Sequence, residues 1–467
     1  MGSDSYHRYH IQTQKCPNIA PHPHRFKVKI NRFQLAKLLI KELIHYWGQW
    51  DVIASRPCVY GVFSGPLGGF LPREKLCVGC LRCTTQYPHI AKILPNPDCQ
   101  KLGDSYFTAD QIDTVVREAE SGRIPIRGAG YRGKFGGTGW DGMWTDMSEI
   151  VRPTRDGIHG REFISTQIDI GEKVRYLEFD SNLQIPAMHP PIHSIPIPLL
   201  FDHPPALFQA NEKICKIYVE AARELQSFTI LPFETLLKFE LRDASVIPLL
   251  ALKDLSPLVQ SGIVPLLLEM DGWDKSFYLS LKSHFPRSVI ILREEFDHPG
   301  LLSFYNEGIR VFHLTANYHG RNSNGTFVLD AIRAANQRFV EAGIRDEVTL
   351  IGSGGITAAE HLPKSILCGL DAVALDTPLM AALQAHFLGE CVSSTDSRFR
   401  LPSKLTIHWG KQRLKNLAAT WRDQMLEIMG AMGLREVRRM RGEMGRAMFQ
   451  TVLEKEAFEG IEGYGQR

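Results

Sequence analysis

The chain has 467 residues, 44% hydrophobic and 22% charged, a composition that describes a soluble globular protein large enough for two or three units. Its 54 lysines and arginines against 51 aspartates and glutamates leave a formal charge of +3, and no polybasic block concentrates it, so neither a nucleic-acid nor a membrane surface is expected. No apolar run approaches the roughly 20 residues of a membrane helix and no signal peptide opens the chain, so the expected location is the cytoplasm and the expected partners are small molecules and proteins.

Residues 1–25 are rich in His and Pro without apolar periodicity and are read as an extended arm. From Phe26 to Trp50 the pattern is a short strand followed by an amphipathic helix, with Leu35, Leu38, Leu39 and Ile44 near helical spacing, expected to pack against the neighbouring cysteine-bearing segment.

The nine cysteines are an odd number with three in one tight cluster, which suits a metal site in a reducing compartment better than a disulfide framework. Cys77, Cys80 and Cys83 stand in a C-x2-C-x2-C run, preceded by Cys58 and followed by Tyr87-Pro88 where a bacterial ferredoxin has Cys-Pro. In two-cluster ferredoxins the fourth cysteine of each run serves the other cluster, so the missing ligands all belong to one cluster. What remains, Cys58 with Cys77, Cys80 and Cys83, is a ligand set for one [4Fe–4S] cluster, with tetrahedral zinc as the alternative. Residues 26–121 are therefore read as a ferredoxin-like iron–sulfur segment closed by a helix over 108–121, with Thr108 as its N-cap.

Residues 122–185 form a connecting segment that is glycine-rich from Arg127 to Trp144. Its glycines suit either close approach to a ligand or a linker. Arg152, Arg155 and Arg161 in it suit an anion site or a domain brace.

From Ile195 onward, apolar runs of strand length alternate with helical segments. The strands are expected at 195–201, 228–233, 246–252, 264–270, 289–296, 309–316, 348–353 and 372–377, and the helices at 206–225, 274–284, 299–307, 327–342, 357–368 and 379–388. Eight such repeats within 186–395 indicate an α/β fold, a (β/α)8 TIM-type barrel, with an open doubly wound sheet as the alternative. In such barrels the loops after strands seven and eight often hold a phosphate. Ser353-Gly354-Gly355 follows the seventh strand, and its bare glycines leave N–H groups free at a helix start. Residues 396–467 are read as a helical tail, with a helix over 410–432 stopped by Gly433.

Three stretches, Glu120–Gly171, residues 343–383 (GIRDEVTLIGSGGI…DAVALDTPLMAAL) and the tail from TIHWGKQRLKN onward, together resemble the FMN-binding, archaeal-type glutamate synthase large-subunit family. The resemblance implies FMN over the C-terminal mouth of the barrel, fed by an iron–sulfur centre. Ser353, Gly354, Gly355, Asp376 and Thr377 would lie at its phosphate and Arg293 at the flavin pyrimidine edge. Arg293, His313 and His319 are then the catalytic candidates, with Tyr318 beside them. The implied activity passes electrons between a donor protein, a ferredoxin or reductase subunit, and a carbonyl, imine or amino-acid-like substrate. Homo-oligomerisation is a further expectation. The alternatives are a true glutamate synthase drawing ammonia from a separate glutaminase, and a non-catalytic member with a decayed flavin site. The sequence departs from the family at the loop after strand six (TANYHGRNSNGT), at the end of strand one (LLFDHPP) and at Asp376, where glycine is commoner.

Overall fold

A computed structural model describes residues 9–54, 58–125, 136–145, 164–173, 179, 181, 183 and 190–463. Residues 127–135 of the glycine-rich stretch, and Arg152, Arg155 and Arg161, lie outside the described residues.

Eight parallel strands close into a barrel, which rules out the open sheet. They run Leu199–Phe201, Thr229–Pro232, Val246–Leu250, Leu267–Asp271, Val289–Glu295, Val311–Thr315, Thr349–Ser353 and Ala372–Leu375. The last pairs back onto the first, Val373 with Leu199 and Leu375 with Phe201. Their apolar residues are buried almost without exception, as both faces of a helix-covered parallel sheet demand.

The departures from the sequence pattern have local causes. The run 195–201 splits, because Pro196 and Pro198 cannot donate to a ladder. Its front part, Ile192–Ile195, pairs antiparallel with Ile168–Gly171. That hairpin reaches the N-terminal end of the barrel, where the Gly171 carbonyl accepts from Thr349 Oγ1 at 3.2 Å. The helix expected over 206–225 breaks at Asn211, whose side chain caps a second helix, Glu212–Glu224. The helix expected over 357–368 is shortened to His361–Leu367. The last expected helix ends at Ala382 instead of 388, and His386–Phe387 pairs with Phe399–Arg400. Gln384 adopts a left-handed φ of 56° there while its side chain binds the backbone of Ile19 and Ala20.

The tail helix, Ile407–Met432, is capped by Thr406 and stopped by Gly433 at φ +72°, as its sequence signals require. It lies against Glu212–Glu224 on one side and Ala109–Ser121 on the other, tying the N-terminal segment to the barrel. Trp421 donates its indole N–H to Glu118 at 3.0 Å, and Asn416 donates to the carbonyls of Gln14 and Ala119, each at 2.8 Å. The N-terminal arm is extended and docks along this helix, with Ile11 and Cys16 buried. Fully buried Arg413 joins all three parts by donating to the carbonyls of Ala382, Cys16 and Val116 and to Asn18 Oδ1.

In the N-terminal segment, strand Phe26–Ile30 pairs antiparallel with Ala91–Pro95. Helix Arg32–His45 packs against the segment that follows through Leu35, which lies on Gly69, but it fully buries none of its residues. Its apolar residues fall on two opposite faces: Leu35, Leu38 and Leu39 are half-buried, whereas Phe33 and Ile44 are 76% and 74% exposed.

Replacing Arg413 with Met strands several buried oxygens, each costing about 1–3 kcal/mol. The expected loss is at least ~3 kcal/mol in urea unfolding, with the N-terminal arm becoming protease-sensitive before the barrel.

Candidate functional site

Towards the C-terminal ends of the strands the barrel carries a connected polar floor. Arg293 of strand five donates to both oxygens of Asp202, at 3.0 and 2.9 Å, and to Glu269 of strand four at 2.9 Å. Asp202 directly follows the first strand. His313 of strand six lies between Glu269, whose Oε1 is 2.9 Å from Nδ1, and Ser353 of strand seven, whose Oγ is 3.0 Å from Nε2. Glu269 and His313 are fully buried, and the Arg293 side chain is 14% exposed.

Charge explains the arrangement. Burial by itself would raise the Asp202 pKa, but Arg293 outweighs it and holds the carboxyl well below its usual range. Glu269 is likewise lowered against its burial, by His313 and then Arg293. Arg293 is raised against its own burial by the same two carboxylates.

The turn after strand seven carries Gly354 and Gly355 at φ +93° and +70°. The loop after strand six lies directly on it: a Cβ at Gly354 would stand 2.3 Å from the Ala316 carbonyl oxygen, and one at Gly355 2.3 Å from Gly320 Cα. Only glycine fits either position. The Gly355 carbonyl accepts from Tyr106 Oη at 2.5 Å and Trp140 Nε1 at 2.8 Å. The Asp376 carboxylate accepts from the Thr377 N–H, from Thr377 Oγ1 at 3.0 Å and from the Gly354 N–H. Burial pushes its pKa up to about 7, with Asp202 adding to the rise against those donors. The N–H groups of Thr357 and Ala358 donate to His361 Nδ1 at 3.1 and 3.3 Å, and the His361 ring stacks on Trp140.

His319 does not join the barrel floor. Its Nε2 lies 3.1 Å from Asp104 and 3.7 Å from Glu390, and its ring stacks on Tyr106. The structure thus groups Arg293, His313 and Ser353, groups Gly354, Gly355, Asp376 and Thr377, and puts His319 among N-terminal residues. Sequence reasoning missed the partners Asp202, Glu269, Asp104 and His361. A usable signal existed for Glu269, a lone charge in an apolar strand, whereas Asp104 and His361 had none.

Three of the four cysteines gather in a small apolar cluster with Val28, Val62 and Phe63, Cys77 buried in it and Cys58 and Cys83 packed against it. Burial raises the Cys77 thiol to about 11, and Cys83, Cys80 and Cys58 add to the rise, so the four sulfurs share one electrostatic neighbourhood. The N–H groups of Gly79 and Thr84 point at the sulfurs of Cys77 and Cys83. A cleft of about 2060 Å³ has Gly79, Leu81 and Thr84 of this loop on one wall and Trp140, His319 and His361 on the other.

Two outcomes test this electrostatic arrangement. A raised carboxyl pKa favours folding below the unfolded value near 4 and loses that contribution as pH rises to about 7. The melting temperature of Asp376→Asn, relative to the parent, is therefore expected to climb between pH 4 and 7 and level off above. Arg293→Met leaves two buried carboxylates without their cation, and its unfolding free energy is expected to fall by about 3–5 kcal/mol.

Residues 315–435 match the family model described as the conserved region in glutamate synthase. An archaeal glutamate synthase [NADPH] from Methanocaldococcus jannaschii is 33% identical over 132 residues, 27% of this chain and 26% of that protein. Longer alignments join an archaeal-type glutamate synthase [NADPH] from Dehalococcoides mccartyi at 21% identity, over 79% of this chain and 86% of that one. An archaeal glutamate synthase [NADPH] from Archaeoglobus fulgidus aligns at 22%, over 89% and 94%. In the 33% identical alignment this chain spans about a quarter of its relative's length. The matched region runs from the end of strand six through the glycine turn, strand eight and the tail helix, and in it this chain is similar to the conserved region of glutamate synthases.

Proposed function

We propose that the protein is a flavin- and [4Fe–4S]-dependent oxidoreductase related to glutamate synthase, passing electrons between a donor protein and a carbonyl, imine or amino-acid-like small molecule. The observation that carries this reading is that the glutamate synthase region contains the last two strands of a closed barrel and the glycine turn between them.

The cysteine site fits an iron–sulfur cluster. Four thiols share one neighbourhood, an apolar shell limits water, and backbone N–H groups point at two sulfurs, the surroundings that tune such clusters. Cys58, Cys77, Cys80 and Cys83 would be its ligands. Fit to FMN differs between the two ends of that cofactor. Arg293 offers a cation at the floor, although two carboxylates already neutralise it. At the phosphate end Asp376 and His361 already take the N–H groups of Thr377, Gly354, Thr357 and Ala358.

A flavin at the mouth would supply two-electron exchange with a substrate and one-electron exchange with a cluster. The chain's own contribution is a proton path. Carboxylates only accept, so in the neutral His313 ring Nδ1–H faces Glu269 and Nε2 accepts from Ser353 Oγ–H. His313 can thereby take or return a proton at Ser353 Oγ, while Glu269 holds its tautomer and orientation. Arg293 fixes Glu269 and Asp202 in turn.

The taken phosphate donors favour a second reading, a family member whose flavin site no longer loads. The full chain, purified and reconstituted anaerobically, decides between them. Flavin bands over a broad cluster absorption are expected; their absence would sink the first reading and leave the second. Cys80→Ser is expected to lose iron and labile sulfide together, and an intact cluster in Cys58→Ser would remove Cys58 from the ligand set. Zinc in place of iron would overturn the cluster assignment.

A further inference from the structure

The glycine turn after strand seven and the residues ending strand eight form a concave set of donors of the kind that holds a phosphate. Here that set encloses a side chain of the protein itself. Asp376, 4% exposed, accepts from the Thr377 N–H, the Thr377 hydroxyl and the Gly354 N–H. Two further donors in the turn before the following helix, the N–H groups of Thr357 and Ala358, are taken by His361, itself 3% exposed. The turn has little freedom to change shape, since Cβ atoms at Gly354 and Gly355 would collide with backbone of the loop after strand six. Tyr106 and Trp140 pin the Gly355 carbonyl from the opposite side.

We propose that Asp376 is the resident anion of this nest and a specificity determinant of the site, so that a bound ligand gains no affinity from a phosphate group. A phosphate entering the nest would compete for the same donors and meet a second negative charge at close range in a buried setting, where like charges repel strongly. Asp202 lies near enough to Asp376 to add to that field. The ligand class that suits the site is a flavin-type ring system with a neutral or hydroxylated tail. For that ligand the inference rests on the flavin reading above; the occupied nest itself does not.

The test uses the full chain, its Asp376→Gly and Asp376→Ser variants, and two probes. Inorganic phosphate, compared with chloride at equal ionic strength, is expected to leave the parent's melting temperature unchanged and to raise that of the variants. By fluorescence quenching the parent is expected to bind FMN no more tightly than riboflavin, and the variants to shift the preference towards FMN by about tenfold or more. Phosphate stabilisation of the parent, or a preference of the parent for FMN of about tenfold, would overturn the proposal. So would folded variants that gain neither response. If no protein binds either flavin while the phosphate response appears only in the variants, the flavin reading fails and the role of Asp376 stands. Asp376→Ser keeps a short helix cap, so the test survives a glycine variant that does not fold.

Discussion

A closed parallel barrel buries both faces of its strands, so a charge turned inward must find its counter-charge inside, and the site of this protein is a consequence of that constraint. Arg293 is the hub. It neutralises Asp202 beyond strand one and Glu269 on strand four. Glu269 then orients His313, and His313 orients Ser353. Five residues from five separate places in the chain thus behave as one unit, and a buried unit of this kind is costly to leave half-satisfied. The arrangement also limits what Arg293 can do for a ligand, because its charge is balanced twice before any ligand arrives.

The same requirement shapes the rim. The backbone N–H groups of Thr377, and of Thr357 and Ala358 in the turn before helix His361–Leu367, need acceptors. Asp376 and His361 supply them. His361 does so as a neutral ring, since burial, with Lys364 beside it, holds its pKa well below the ordinary value. A loop that looks like a ligand cradle in one dimension is therefore internally capped in three.

The N-terminal segment is joined to this barrel by the tail helix and by Tyr106 and Trp140, which reach the glycine turn directly. Gly79, Leu81 and Thr84 of its cysteine loop line the same cleft as His319 and His361 on the flank of the barrel. Among the described residues no helix is long and apolar enough to cross a membrane.

Much of the architecture was legible from local chemistry. Alternating apolar runs and helical stripes specified eight strands, because a buried parallel strand has to be apolar on both faces. Gly433 marked the end of the tail helix, because capping depends on a few adjacent residues, whereas the helix starts at Ile407 behind its Thr406 cap and not at 410. The cysteine spacing singled out four residues, of which three gather in one apolar cluster. Where the periodicity misled, the cause was tertiary: Gln384 ends a helix to serve the arm, and Phe33 and Ile44 stand on the face of their helix opposite its half-buried leucines. Arg293, His313 and the glycine turn could be named from their places in the strands, but their partners could not, since Asp202 lies 91 residues from Arg293 and Asp104 lies 215 from His319. The sequence by itself determined which residues carry charge and which turns need glycine, because those are properties of single side chains and short backbone stretches. Only the tertiary structure decided that Asp376 fills the nest and that Glu269 faces His313, because hydrogen bonds between distant strands depend on how the barrel closes.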